Sequence, residues 1–301
     1  MVSPLHRRNA IEHVLELGMC SVRRACEWLE LSRSAYYRRP KCRSDRERLL
    51  LKRLLELSHE HPTYGYRFIT QLLRREGWEV SYKKVQRLRR KEGLGVVRRT
   101  PKKRRCGSSR GQKSRATEAN DVWCWDFIHD VTEDGRSIRI LSVIDEYSRY
   151  CVVLESRRSF TAKDVIKVLK KAIRRLGAPK RIRSDNGPEL IAQSIQRWLE
   201  AHKINTVYIE PGCPWQNPFV ESFHSRFRDE CLNREWFINL LDAKVCIADF
   251  QQTYNTIRPH SGIDYKSPVE IHFNQGFDSG RATPSLHQSL ANTIQPLPML
   301  T

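Results

Sequence analysis

The feature that most constrains this chain is a run of three strand-forming segments in close succession: VWCWDFIHDV from Val122, SIRILSVID from Ser137 and YCVVLES from Tyr150, separated only by turn-length gaps. β-Branched and aromatic residues dominate each segment, and EDG between the first two is hairpin chemistry. Strands and helices then alternate. Thr161 caps the amphipathic segment AKDVIKVLKKAIRRLG, and KRIRS is a short fourth strand. DNGPE turns into a helix running through Trp198, and INTVYIE is a fifth strand. Two last helices are expected over about Pro218 to Cys231 and about Leu241 to Tyr254.

The order β-β-β-α-β-α-β-α-α describes an α/β fold, a mixed five-stranded sheet with helices on both faces, which is the ribonuclease-H-like arrangement. The N-terminal part reads instead as all-α. Ser3 and Pro4 suit the start of a helix running to about Leu17, with Gly18 ending it in the left-handed conformation. Ser21 caps a second helix and Ser32 a third, RSAYYRR, stopped by Pro40, which together form a helix-turn-helix. Glu30 falls in its turn, where glycine is more comfortable, and an ordinary helical hairpin is the alternative. Arg33, Ser34, Tyr37 and Arg38 are the residues expected to reach bases or phosphates. A second helical unit follows: Leu49, Leu50, Leu54, Leu55 and Leu57 form a stripe, His61-Pro62 breaks it, YGYRFITQLLRREG is amphipathic, and Ser81 caps YKKVQRLRRKEG. There Val85 and Leu88 point inward, while Lys83, Lys84, Arg87, Arg90 and Lys91 form a basic face suited to DNA or, alternatively, simply solvated. The expected organisation is a helix-turn-helix over 1–43, a helical DNA-binding unit over 44–97, a basic flexible linker over 98–118, the α/β core over 119–275 and an unstructured tail over 276–301.

Charge follows the same division. Residues 1–118 hold 31 basic and 12 acidic side chains, whereas residues 119–301 hold 23 and 22, so nearly all of the net +20 is N-terminal. Such a half releases counterions when it meets phosphates, the sequence-independent part of nucleic-acid affinity. The segment RRTPKKRRCGSSRGQKSR, with Lys102, Lys103, Arg104 and Arg105, has no acidic residue and almost nothing to bury. It is expected to follow a duplex backbone and leave the domains beside it free to reorient. The nine cysteines form no C-x-x-C pair and are read as reduced thiols. No stretch suits a membrane span or a signal-peptide centre, so an intracellular protein is expected.

The chemistry is read from carboxylates. Asp126 stands in mid-strand between Trp125 and Phe127, where an uncompensated buried charge costs several kcal/mol; a bound cation compensates it, and a water-facing edge position is the alternative. Asp185, in SDNGPE, also suits a turn and a helix cap, and Glu221, in the first turn of a helix, also favours the helix dipole. In a sheet of this order, however, the centre of the first strand and the end of the fourth are neighbours, and the helix after the fifth lies beside them. Three gathered carboxylates repel unless divalent cations sit between them, and oxygen-only ligands point to Mg2+ or Mn2+. Two such ions, about 3.5 to 4 Å apart, would clamp the attacking and leaving oxygens of a phosphoryl displacement. Arg228 lies two turns along the strip of Glu221, able to steady a phosphate or to be a plain surface arginine, and His224 is expected to meet DNA or solvent.

WDFIHDVTEDGRSIRILSVIDEYSR, RSDNGPE, EPGCPWQNPFVESFHSRFRDECLN and YNTIRPHSGIDYKSP together closely resemble the second-frame (OrfB) transposases of the insertion-sequence-three family, which have a retroviral-integrase-like core. Thirty-five residues separate Asp185 from Glu221, as in the family's Asp-Asp-Glu pattern, and the basic residue seven beyond the glutamate is Arg228. HPTYGYRFITQLLRREGWEVSYKKVQRLRRKEGL resembles the family's helical DNA-binding segment. The resemblance implies a magnesium-dependent DNA transposase that cuts terminal inverted repeats and joins them to target DNA, with Asp126, Asp185 and Glu221 as metal ligands. It further implies double-stranded DNA and a homo-oligomer as partners, an upstream-frame (OrfA) partner or fusion, and a cytoplasmic, nucleoid-associated bacterial protein. Asp145 in VIDEYSR matches no catalytic position and is left out. A nuclease of the same fold that does not join, and a non-catalytic DNA-binding regulator, are the competing readings.

Overall fold

In the computed structural model, residues 4–37, 44–96, 115–184, 192–208 and 217–273 are described. The chain divides into two compact units, residues 1–56 and 57–301.

In the first unit, α1 (Pro4–Glu16), α2 (Val22–Trp28) and α3 (Arg33–Tyr37) are followed by α4 (Asp45–Glu60), which runs on into the second. Ile11, Ala25, Cys26 and Leu31 are the buried centre, with Val14, Val22 and Tyr36 packed on it. Gly18 ends α1 at φ +64°, as its sequence position predicts, and Glu30 takes a left-handed φ of +49° in the turn before α3. Arg7 Nη1 donates to the Glu30 carbonyl at 2.9 Å, which helps to hold that turn. Ser32 Oγ caps α3 by accepting from the Ala35 N–H.

In the second unit, α5 (Tyr66–Arg75) and α6 (Tyr82–Lys91) pack through Ile69, Leu72, Leu73 and Val85. Ser81 caps α6 through the Lys84 N–H, and Gly77, at φ +86°, ends the run of α5. The helical pair is not free of the α/β core. Arg75, at the end of α5, donates to the carbonyls of Ile257 and Tyr265 at 2.7 and 2.8 Å, and Phe68 meets the Tyr265 ring edge-on. These contacts join segments almost 200 residues apart in the sequence.

The core strands are β1 (Val122–Val131), β2 (Ser137–Asp145), β3 (Cys151–Arg157), β4 (Arg181–Ser184) and β5 (Asn205–Tyr208), in the order β3-β2-β1-β4-β5. β1, β2 and β3 pair antiparallel; β4 lies parallel to β1, and β5 parallel to β4. This is the ribonuclease-H-like sheet. Because strand side chains alternate, β1 serves two cores. Val122, Cys124 and Ile128 face α9 (Pro218–Phe227) and α10 (Leu240–Thr256). Trp123, Trp125 and Phe127 face α7 (Ala162–Leu176) and α8 (Gln193–Ala201). Thr161 and Asp164 form a reciprocal capping box on α7. Two departures from the sequence reading follow α9: the helix passes into a π turn at Arg228–Leu232, and after α10 the chain adds a 3-10 turn (Ser261–Ile263) and α11 (Pro268–Phe273). No helix among the described residues is long and apolar enough to cross a membrane.

Candidate active site

β1 is the central strand, so the edge alternative for Asp126 does not apply. Alternation puts Asp126 on the α9 side, between the inward Cys124 and Ile128, with its side chain 30% exposed. Its Cα partner across the hairpin is Ser142. Ser142 Oγ donates to the Asp126 carbonyl at 3.0 Å and lies 2.7 Å from Nε2 of His224, which projects from α9. Nδ1 of the same ring is 3.6 Å from Asp126 Oδ2, too far for a hydrogen bond. Burial, with the nearby positive Arg228 adding to it, lowers the His224 pKa to about 4, so the ring is neutral near pH 7. The imidazole is thus a strut between helix and strand, seated on the serine hydroxyl and facing the aspartate.

Glu221 is one turn before His224 on α9, and this strut brings its part of the helix against β1. Its carboxylate is exposed, makes no hydrogen bond or ion pair among the described residues, and has its pKa raised by partial burial alone. Asn217 and Pro218 begin the helix as their residue types predict. Arg228 is exposed at the first position of the π turn, where its carbonyl accepts from the Asn233 N–H at 2.9 Å. π turns inserted in helices recur at functional sites because they re-aim the side chains around them.

Asp185 lies outside the described residues. The parallel register sets Arg183 opposite Cys124. Arg183, buried, pairs with the buried Glu146 at 2.5 Å, which keeps a cation beside β1 neutralised. Asp145 is fully buried, and its oxygens accept from the Asn120 N–H, the Ser148 N–H and the Ser148 hydroxyl, so it ties the turn after β2. No group of three or more His, Cys, Asp or Glu side chains among the described residues is arranged to hold a metal ion.

Arg33, Ser34 and Tyr37 are exposed on α3. On α6, Lys83, Arg87, Arg90 and Lys91 are exposed and Lys84 is partly so, whereas Arg89 between them turns inward to the Tyr64 and Leu94 carbonyls. Arg38, Lys102, Lys103, Arg104 and Arg105 lie outside the described residues. Sequence reasoning missed two members of the site. His224 was expected at DNA or solvent but is only 14% exposed and turned to Ser142, which was passed over, although a hydroxyl inside the apolar run ILSVI is a signal that could have found it.

An integrase core domain family matches residues 116–214, a second integrase core domain family residues 202–268, and an HTH-like domain family residues 44–104. An uncharacterized 39.2 kDa protein of insertion element IS476 from Xanthomonas euvesicatoria is 37% identical over 273 residues, covering 91% of this chain and 78% of the relative. An uncharacterized 31.7 kDa protein of insertion element IS407 from Burkholderia multivorans is 38% identical, covering 83% of this chain and 90% of the relative. InsK, a putative transposase of insertion element IS150 in Escherichia coli, is 27% identical over 80% of this chain and 89% of its own length. With this strand order, an integrase core and relatives that span nearly its whole length, the chain belongs to the insertion-sequence-three family of transposases, as a second-frame protein.

Proposed function

We propose that this transposase cuts the terminal inverted repeats of its element and joins the freed ends to target DNA at one acidic centre made by Asp126, Asp185 and Glu221. The observation that carries the reading is the strut: Ser142 and His224 hold α9 against the strand position of Asp126, on the helix that bears Glu221. The register of β4 supports the third member, since Arg183 and Cys124 are Cα partners and each stands two residues before one of the two aspartates.

Two Mg2+ or Mn2+ ions fit this donor set, which offers only hard carboxylate oxygens, one of them a Glu221 side chain with no partner among the described residues. When bound, such ions neutralise charge on the attacking and leaving oxygens. The chain's own residues orient the reaction. Ser142 and the neutral His224 fix Asp126 and α9, while Arg228 presents a cation to a phosphate beside them. Water is the nucleophile for cleavage and a DNA 3′-hydroxyl for joining. The helix-turn-helix over 1–43, the unit over 44–97 and the basic linker over 98–118 bind duplex DNA through Arg33, Ser34, Tyr37, Arg38, the basic face of α6 and Lys102 to Arg105. Bringing two ends together calls for a homo-oligomer on DNA, and an upstream-frame protein or fusion is the further partner, within the bacterial cytoplasm.

Asp126→Asn, Asp185→Asn and Glu221→Gln should each reduce cleavage of labelled element ends by at least about a thousandfold and leave duplex binding within about twofold. Gel analysis of nicked and joined products reads both chemical steps. Cleavage retained by any of the three would sink the assignment of that residue, and nicking without joined product would favour a hydrolase.

A further inference from the structure

Two segments that hold none of the proposed metal ligands, HPTYGYRFITQLLRREG and YNTIRPHSGIDYKSP, meet around one buried cation. Arg258 is 4% exposed, and its Nε and Nη2 make a forked set of bonds to Glu230, at 2.8 and 3.1 Å from Nε and 2.7 Å from Nη2. Its guanidinium carbon lies 5.1 Å from the centre of the Phe68 ring and 5.7 Å from those of Tyr64 and Tyr254. This arginine is consumed within the protein and is not available to a phosphate.

The two ends of that arrangement differ in what they carry. Glu230 belongs to the π turn that directly continues α9, the helix of Glu221. Tyr64 and Phe68 belong to the helical unit, and the Tyr64 carbonyl accepts from Arg89 Nη1 at 2.8 Å, so α6 is held by the same group of side chains. Arg75 fastens α5 to the backbone on either side of His260, at Ile257 and Tyr265. A continuous chain of packed and hydrogen-bonded groups therefore runs from the basic helix α6, through Arg89, Tyr64, Arg258 and Glu230, to the end of α9.

We infer that Arg258 is a positioning residue, whose pair with Glu230 fixes α5 and α6 to the catalytic helix so that a duplex gripped by α6 meets Asp126 and Glu221 at one set phosphate. The inference rests on the DNA-cleaving reading above. Two forked bonds fix an orientation that one ammonium cannot, so lysine at 258 keeps the charge and loses the alignment.

The test uses the full chain with Arg258→Lys and, because a buried change can prevent folding, with Arg75→Gln at a more exposed part of the same junction. Labelled element ends are bound, cut and mapped to the nucleotide, alongside amide hydrogen exchange. Both variants should bind duplex within about twofold of wild type, yet cut the wild-type position at least about tenfold more slowly, with new cuts at neighbouring phosphates. Exchange should rise together in α5 and in residues 257–266. A residue that served stability alone would lower the melting temperature without moving the cut. Folded variants that cut at the wild-type position and rate, or exchange rising in one segment without the other, overturn the proposal; should lysine at 258 prevent folding, Arg75→Gln decides alone. Wild-type protein that binds but never cuts would instead defeat the functional reading, and the exchange result would still judge the junction.

Discussion

His260 is a residue whose environment sets a measurable acid limit. Its ring is buried against the Tyr254 carbonyl, 3.2 Å from Nε2, and burial together with the Arg258 charge lowers its pKa to about 3. The unfolded chain binds a proton near pH 6.5 and the folded one does not until about pH 3, so the stability this residue contributes is complete above pH 6.5 and drains as the pH falls towards 3. The loss is on the order of a few kcal/mol. Thermal melts between about pH 7.5 and 4.5 should show a falling melting temperature, and His260→Asn should flatten that limb; an unchanged slope in the variant would mean that other groups set the acid limit. The place of Asp126 within a strand was legible from the apolar run around it. The His224 strut was not, since it depends on which face of α9 meets which residue of β1, and helical spacing alone leaves that rotation open.

At the scale of elements, local chemistry wrote its boundaries clearly. The bounds of β1 and β2 coincide with the apolar runs that predicted them, and Thr161 begins α7 with the expected cap. Thr161→Ala removes the oxygen that accepts the Asp164 N–H and one partner of the Asp164 carboxylate. It should cost about 1 kcal/mol and lower the melting temperature of the core by roughly 2 to 4 °C, as calorimetry would record. Serine at the same position should recover most of the loss. The π turn and α11 had no comparable signal. Both lie where tertiary partners decide the backbone: Glu230 is drawn to Arg258, and His272 of α11 stacks on Tyr150 and bonds Ser148.

For the molecule as a whole, the asymmetry of charge is the property that reaches furthest. Residues 1–118 carry an excess of 19 positive charges, and the exposed face of α6 contributes Lys83, Arg87 and Arg90 to it. Affinity for duplex DNA should therefore fall steeply with salt. Replacing any one of these three by glutamine should lessen the slope of log K against log salt by about one without changing which sequence is preferred. A titration in which slope and affinity stay at wild-type values would take that side chain off the DNA. The sequence disclosed this electrostatic division and the order of the strands, but not the docking of α5 on the core, because contacts across almost 200 residues leave no trace in local pattern. One backbone irregularity has consequences of the same reach. The five residues from Arg228 to Leu232 form a turn one residue wider than an α-helical turn, with the Asn233 amide reaching back to Arg228. Deleting a single codon there would close the wide turn to an α-helical one and shorten the segment that carries Glu230. Glu230 lies inside the wide turn and Glu221 upstream of it, so a change of length there bears on the Arg258 pair and leaves the start of α9 in place.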